Sequence, residues 1–454
     1  MAVVGAGIAG LTTAVLLAEA GLDVVVVDAA PLGSGTTGGT TAKVTALHGR
    51  RYSTLTRDHG YLVATEYARA NLAALELVRE WAEELAPDSR PEAAPSHTCA
   101  LTTDAVPLVE EELVAAAQAG LPVRRVDDAG LPFPVSAAIR LDGQLQFDPV
   151  PYLYGLARQL RSLGGRLHEG VRATGLSLDG RRVTTSAGTV SADHVVLTTG
   201  IPFADRGLWF ARMVPRRSYA VAVRVADPAS LPDGTHLGVD DPTWSLRTLT
   251  DPSDGERLLV VGGAGHVTGR ASDTLDHFRR LVGWAATRFD CQELRYHWSA
   301  QDHECADGLP VAGPLVPFAP NGDHTLVATG FAKWGMTNGT AAAMALAGRI
   351  LGDPPPWATI FDSARLHPTT SLPREIKANA EVAACFAKGW VGRVTGTGPD
   401  GREAPVCTHL GGVLRWNEAE RSWDCPLHGS RFGTDGAILD GPAVRQSAPA
   451  TRDG

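Results

Sequence analysis

The strongest constraint on this chain stands at its start. Gly5-Ala-Gly7-Ile-Ala-Gly10 lies between a short apolar run, Ala2-Val3-Val4, and a helical stretch, Leu11 to Ala20. A second apolar run, Val24 to Val27, ends at Asp28, eighteen residues after Gly10. Strand, glycine-rich turn, helix and strand make a βαβ unit, and the helix N-terminus aims unpaired N–H groups at an anion. Gly5 permits the tight turn, Gly7 lets the backbone approach a pyrophosphate, and Gly10 lets the helix pack closely on the strand. Asp28 is placed to accept hydrogen bonds from ribose hydroxyls. An α/β fold around a dinucleotide follows, although the glycines alone do not separate NAD from FAD.

At 454 residues the chain exceeds what one hydrophobic core supports, so two or three domains are expected. A net charge of −9 leaves no electrostatic footprint for nucleic acid or anionic membrane, which favours a small-molecule partner. The longest uncharged run, Ala2 to Ala18, is too short to span a bilayer and lacks a basic leader, so no transmembrane segment is predicted. Six cysteines in a chain this long do not form a disulfide framework, and a cytoplasmic location is the expectation.

Periodicity predicts helices over 62–85 and Pro151 to Leu163, a buried strand at Val195-Val196-Leu197, and sheet strands over 218–225 and 257–261. An Ala-rich helix, Ala341 to Leu351, is broken by Asp353-Pro-Pro-Pro356. The expected division is residues 1–352, a linker with one helix (Arg374 to Ala387) over 353–390, and a small all-β unit over 391–446. Val260-Val-Gly-Gly263-Ala-Gly265-His-Val-Thr-Gly269 imitates a second dinucleotide turn, which would suit an NAD(P)H-dependent flavin reductase. The following helix begins near Asp273, however, and no strand with a terminal acid comes at the expected distance. A sheet strand turning over a pocket is the plainer reading.

Cys407-Thr-His409 and Cys425-Pro-Leu-His428 are separated by fifteen residues and are followed by Gly411-Gly412 and Gly429-Ser430. Two cysteines and two histidines can hold zinc, but zinc fingers usually pair cysteine with cysteine and place the histidines on a helix. Here each short motif supplies one thiolate and one imidazole, which suits two metal ions: two thiolates on one iron and two imidazoles on the other.

Several segments resemble the D-amino-acid oxidase and glycine oxidase superfamily. They are Gly33-Ser-Gly-Thr-Thr-Gly-Gly-Thr-Thr-Ala-Lys43, Val195 to Gly200, Asp307-Gly-Leu-Pro-Val-Ala-Gly313 and Gly330-Phe-Ala-Lys-Trp-Gly-Met-Thr-Asn-Gly339. Residues 400–445, including the His428-Gly-Ser-Arg-Phe432 continuation, resemble the Rieske family. The resemblance implies an α/β fold: a Rossmann-like FAD-binding domain with an interleaved β-sheet substrate domain, and a small all-β Rieske domain at the C-terminus. It implies FAD and a Rieske-type 2Fe-2S cluster as cofactors. By resemblance, Thr40, Thr41 and Lys43 lie near the flavin, Val171 contacts the adenine side through its backbone, and Gly200 and Gly313 belong to the cofactor site. Gly330, Trp334, Gly335 and Met336 wrap the isoalloxazine and ribityl chain. Cys407, His409, Cys425 and His428 are the cluster ligands. The positions of the extra disulfide of respiratory Rieske proteins are Gly412 and Leu427 here, so packing must hold the loops. The potential is expected within the Rieske range of about −150 to +300 mV.

Flavoenzymes joining these two modules form a bacterial type that this chain resembles over nearly its full length. The expected activity is oxidation of a small amine or amino acid, with electrons passing from flavin to cluster and on to an external acceptor or carrier protein. Flavin exchanges two electrons and a 2Fe-2S cluster one, which gives a reason for both to share a chain. Lys333 and His266 are the candidate catalytic side chains, with Lys43 a further possibility. A non-enzymatic electron-transfer or redox-sensing protein is the alternative. Only sixteen residues lie between Trp390 and Cys407, where Rieske domains supply base strands, so the cluster unit is expected to lean on the flavin domain.

Overall fold

The computed structural model describes residues 1–318, 324–401 and 403–450. The opening βαβ unit is β1 (Ala2–Val4), α1 (Ile8–Glu19) and β2 (Val25–Val27), with β1 and β2 parallel. Strands β3 (Arg166–His168) and β4 (Val195–Leu197) join the same sheet on opposite sides, each parallel to its neighbour. All three residues of β4 are buried, as expected for a strand covered on both faces. Each fully buried valine of this layer contributes on the order of 1.5–3 kcal/mol.

The chain then leaves for a second sheet. Strands β5 (Met213–Val225), β6 (Trp244–Thr250), β7 (Arg257–Val267) and β8 (Cys291–Cys305) form an antiparallel array in the order β8-β5-β7-β6. Four shorter strands from 96–100, 124–126, 137–141 and 235–238 extend it to eight. Strands β9 (Val311–Pro314) and β10 (Thr325–Thr329) return to the first sheet, completing the order β9-β10-β4-β1-β2-β3. The chain thus shuttles between an α/β layer and a β wall, which is the interleaving the resemblance implied.

Helix α2 (Gly335–Leu351) packs on α1 so closely that a Cβ on Gly339 would stand 3.2 Å from Ile8 Cγ2. It begins six residues before the Ala-rich stretch that announced it. Gly335, Thr337, Asn338 and Gly339 are weak helix formers, and burial in the tertiary fold overrides their propensity. Helix α3 (Pro368–Thr395) is likewise longer than 374–387. Pro373 falls inside it, as its sixth residue, at the cost of one intrahelical N–H bond, and Gly396 at φ +76° ends it. The C-terminal unit is a four-stranded antiparallel sheet of β11 (Arg415–Asn417), β12 (Ser422–Asp424), β13 (Arg431–Phe432) and β14 (Ile438–Asp440). Among the described residues no helix is long and apolar enough to cross a membrane.

Candidate functional site: a dinucleotide cavity beside a cysteine–histidine centre

The turn after β1 has the geometry its glycines suggested. Gly5 has φ +105°, and a Cβ there would stand 2.7 Å from the Thr198 carbonyl oxygen. A Cβ on Gly10 would overlap the Gly5 carbonyl and lie 2.6 Å from Thr198 Oγ1. Gly10 is therefore a packing residue and does not line the cavity, whereas Gly5 and Gly7 do. The Thr37 hydroxyl accepts from Ile8 N at 3.1 Å, tying the Thr-rich segment to the start of α1. Asp28 accepts from Ala6 N at 2.6 Å and from Ala30 N at 2.9 Å, and burial raises its pKa. Its carboxylate thus also braces the turn.

One cavity of about 430 Å³ runs from this turn to the β wall. Asp28, Val171 and Gly200 line it toward the α/β layer, and Thr40, Thr41 and Lys43 toward the sheet. Lys333, Trp334, Gly335 and Met336 close another side. Val171 N donates to the Asp28 carbonyl at 2.7 Å, so its N–H is engaged within the protein. Buried Arg247 donates to the carbonyls of Thr41 at 2.6 Å, Ala42 at 3.2 Å and Phe147 at 3.1 Å, fixing the 40–43 segment. Lys43 Nζ donates to Thr41 Oγ1 at 2.8 Å and Ser245 Oγ at 3.2 Å; burial, with Arg247 adding, brings its pKa down to about 7.

Gly313 and Gly330 lie off the cavity. Gly313 sits in β9, where a Cβ would be 2.8 Å from Ser363 N, and Gly330, at φ +75°, abuts the Cys305 sulfur. Ala332 and Lys333 follow at φ +51° and +72°, a strained pair that swings the Lys333 side chain into the cavity wall. Lys333 N donates to Asp302, whose carboxyl is raised by burial, and burial lowers the Lys333 ammonium. Trp334 stacks on His48 at 4.2 Å. His266 lies near the end of β7 and does not line the cavity. It bonds Tyr219 Oη at 3.1 Å and stacks on His277 at 4.6 Å, so it stands behind Tyr219, which does line the cavity.

The glycines at 262, 263 and 265 fall inside β7, and the next helix runs over Leu275–Ala286. Their strand runs on to Val267 and the next helix starts only at Leu275, so these glycines do not form the strand–turn–helix cradle of a dinucleotide fingerprint.

In the C-terminal unit, two loops meet. Cys407 N donates to the Gly412 carbonyl at 2.8 Å and Cys425 N to the Ser430 carbonyl at 2.8 Å. Gly411 and Gly429 adopt φ +74° and +77°, which these tight loops require. Both cysteines are buried free thiols. The neighbouring Cys425 thiol draws the Cys407 pKa down, while the Cys407 sulfur and burial push that of Cys425 up. A Cβ on Gly412 would stand 3.0 Å from Cys425 Sγ and 2.7 Å from Leu427 Cδ1, so loop packing fills the place of a cross-loop disulfide.

The rings of His409 and His428 lie edge to face at 5.3 Å. His428 Nδ1 is buried without a hydrogen-bond partner. His409 Nε2 faces the Asp205 carboxylate, which can only accept; the proton therefore stays on Nε2 and Nδ1 keeps its lone pair. Two adjacent sulfurs and two imidazoles with Nδ1 available fit a 2Fe-2S cluster. Among the described residues no three His, Cys, Asp or Glu side chains converge on one point, as a single zinc ion would require.

The missing base strands are replaced by α3. Val382, Cys385 and Trp390 pack against the cluster unit's core, and Trp390 Nε1 donates to the Gly411 carbonyl at 3.0 Å. The unit also joins the flavin cavity directly, because Leu439, Asp440, Gly441, Ala443 and Val444 line it. Sequence reasoning put the two ligand sets in separate domains and missed this shared wall, along with Asp302, Asp205 and Phe210, whose ring lies edge to face with those of His409 and His428. No local pattern marks any of them.

Comparison with known proteins agrees with both halves. The FAD dependent oxidoreductase family matches residues 1–349 and the Rieske [2Fe-2S] domain residues 404–450. The Rieske 2Fe-2S iron-sulfur protein YhfW of Bacillus subtilis (strain 168) is 32% identical over 472 residues, covering 98% of this chain and 91% of that protein. The cytochrome b6-f complex iron-sulfur subunit of Synechococcus sp. (strain JA-3-3Ab) is 47% identical over 51 residues, 11% of this chain and 30% of that subunit. In fold, the chain is similar to glycine oxidase from Geobacillus kaustophilus, with TM-score 0.63, 19% identity, and 78% of this chain and 95% of that one covered. L-amino acid deaminase from Proteus myxofaciens is similar at TM-score 0.62 and 16% identity, covering 80% and 93%. The chain belongs to the FAD dependent oxidoreductase family and carries a C-terminal Rieske [2Fe-2S] domain, so that its cofactors are FAD and a 2Fe-2S cluster.

Proposed function

We propose that the protein oxidises a small amine or amino acid at the carbon bearing nitrogen and delivers the electrons, one at a time, to an external acceptor or carrier protein. The observation that carries this reading is the cavity walled jointly by the dinucleotide turn, the β wall and Leu439, Asp440, Gly441, Ala443 and Val444 of the Rieske unit. When bound, FAD would accept two electrons from the donor and the cluster would release them singly.

The chain's own side chains suit a zwitterionic donor. Lys333 would hold a carboxylate, whose charge would restore the buried ammonium. Lys43 Nζ, drawn down to about 7, would take the proton from the donor's ammonium, since the nitrogen must be neutral before its carbon is oxidised. The Thr41 and Ser245 hydroxyls would keep that nitrogen in place, and Tyr219, oriented by His266, would wall the pocket. Gly5, Gly7, Asp28, Thr40, Val171, Gly200, Trp334, Gly335 and Met336 would hold FAD, with Gly10, Gly313 and Gly330 shaping the frame. Cys407, Cys425, His409 and His428 would hold the cluster.

Glycine oxidases, L-amino acid deaminases and an L-proline dehydrogenase are among the proteins similar in fold, which supports an amino acid or secondary amine as donor. The functional division we propose is residues 1–352, 353–390 and 391–446, in a cytoplasmic setting. Anaerobic titration with a panel of amines and amino acids, followed by optical spectroscopy, tests the reading. At least one donor should bleach the flavin band and then the cluster band. A protein left oxidised by every donor would point to a non-enzymatic electron carrier or redox sensor.

A further inference from the structure

The two histidines of the cluster unit turn inward. The His409 side chain is 5% exposed and His428 is 5% exposed, both covered by the flavin domain. Phe210 lies against both rings, at 5.5 and 4.9 Å. Around them the loops are clamped from the same side. Gln301 Nε2 donates to the Gly429 carbonyl at 2.9 Å, Arg270 Nε to the Pro426 carbonyl at 3.1 Å, and a Cβ on Gly429 would stand 2.6 Å from Pro215 Cβ.

Within this interface one contact is chemically distinct. His409 Nε2 lies 2.9 and 3.0 Å from the two carboxylate oxygens of Asp205, a residue 204 positions earlier in the chain. Among the described residues His428 has no carboxylate ion-pair partner, so the two imidazoles are not equivalent. A carboxylate that accepts the outer N–H of a metal-bound imidazole holds the ring in one orientation and makes the inner nitrogen a stronger donor. Added electron density on the iron, and a nearby negative charge, both make an extra electron harder to accept. The Asp205 side chain is 42% exposed, so water screens part of its charge, but the hydrogen bond is made to a buried ring.

We infer that Asp205 is a positioning residue for the cluster, orienting His409 across the domain interface and lowering the cluster's reduction potential while the Rieske unit is docked. The inference rests on these four ligands carrying the cluster. Docking and redox poise are thereby coupled: a cluster lifted from the flavin domain loses this acceptor and becomes the stronger oxidant.

The test is a redox titration of the purified full-length holoprotein, followed by the cluster's EPR signal, on wild type, Asp205→Asn, Asp205→Ala and Glu420→Gln. Iron and sulfide are assayed in each. The midpoint should rise in Asp205→Asn and rise further in Asp205→Ala, with a change in the g-anisotropy as the ring is released. Asp205→Asn preserves shape, so it carries the test should the alanine variant lose its cluster. Glu420 pairs with Arg217 in the same interface at 3.0 Å without touching His409, and Glu420→Gln should leave the midpoint where it was. A midpoint unmoved or lowered in both Asp205 variants would overturn the assignment, as would an equal rise in Glu420→Gln. Absence of any cluster signal in wild type would overturn the Rieske reading with it, which keeps the two failures distinct.

Discussion

Replacing Lys43 with methionine should make the protein more stable and less active. Its ammonium has an ordinary pKa of 10.5, brought down to about 7 by burial. The unfolded chain therefore binds more protons than the folded one between these values, so the penalty is complete below about pH 7 and fades as pH rises through 10.5. At about 1.4 kcal/mol per pH unit, the full penalty is about 5 kcal/mol. Lys43→Met removes it and also removes two hydrogen bonds, to Thr41 and Ser245, worth roughly 1 kcal/mol each. The expected net gain is about 3 kcal/mol near pH 6, a rise of several degrees in melting temperature. Near pH 9.5 most of the penalty is gone and the gain should vanish. Thermal unfolding of wild type and Lys43→Met at both pH values measures this difference. A pH-independent offset, or a loss of stability near pH 6, would refute the argument. Turnover of an amine donor should fall in the same variant, since its proton acceptor is gone.

Two further outcomes follow from the packing. Gly10→Ala should deplete FAD from the purified protein, because its Cβ has no room against the Gly5 carbonyl, whereas Gly283→Ala, with open space around the new carbon, should retain FAD fully; flavin-to-protein ratios check both. His428→Ala should abolish the cluster's EPR signal and also speed FAD release, because Leu439, Asp440, Gly441, Ala443 and Val444 wall the flavin cavity; unchanged FAD dissociation would show that this wall stays in place without the cluster.

What was legible in the sequence was short-range. Gly5, Gly7, Gly10 and Asp28 fall within one βαβ unit, and Cys407, His409, Cys425 and His428 within two loops, so their spacing points to a dinucleotide and to metal, while the resemblance was needed to name FAD and the cluster. The same holds for β4, whose uninterrupted valines and leucine fit only a strand buried on both faces. The limits of α2 and α3 were harder, because Gly335 and Pro373 read as breakers by local preference yet both lie within helices. Contacts such as Asp205 with His409, or Arg172 with the Ile438 carbonyl, join residues more than two hundred positions apart. Lone Asp, Phe or Leu residues carry no periodic signature, so only the folded chain brings them to the site. Lys333 and His266 came from the same kind of local reasoning and separated in space: one lines the cavity, the other stands behind Tyr219.

If flavin and cluster serve one electron path, Cys407→Ser should break it between the two. Stopped-flow mixing with an amine donor should show the flavin band bleaching at the wild-type rate in this variant, while steady-state turnover with a one-electron acceptor drops sharply. If turnover with that acceptor and with oxygen stays at the wild-type rate, electrons leave without the cluster and the account is contradicted.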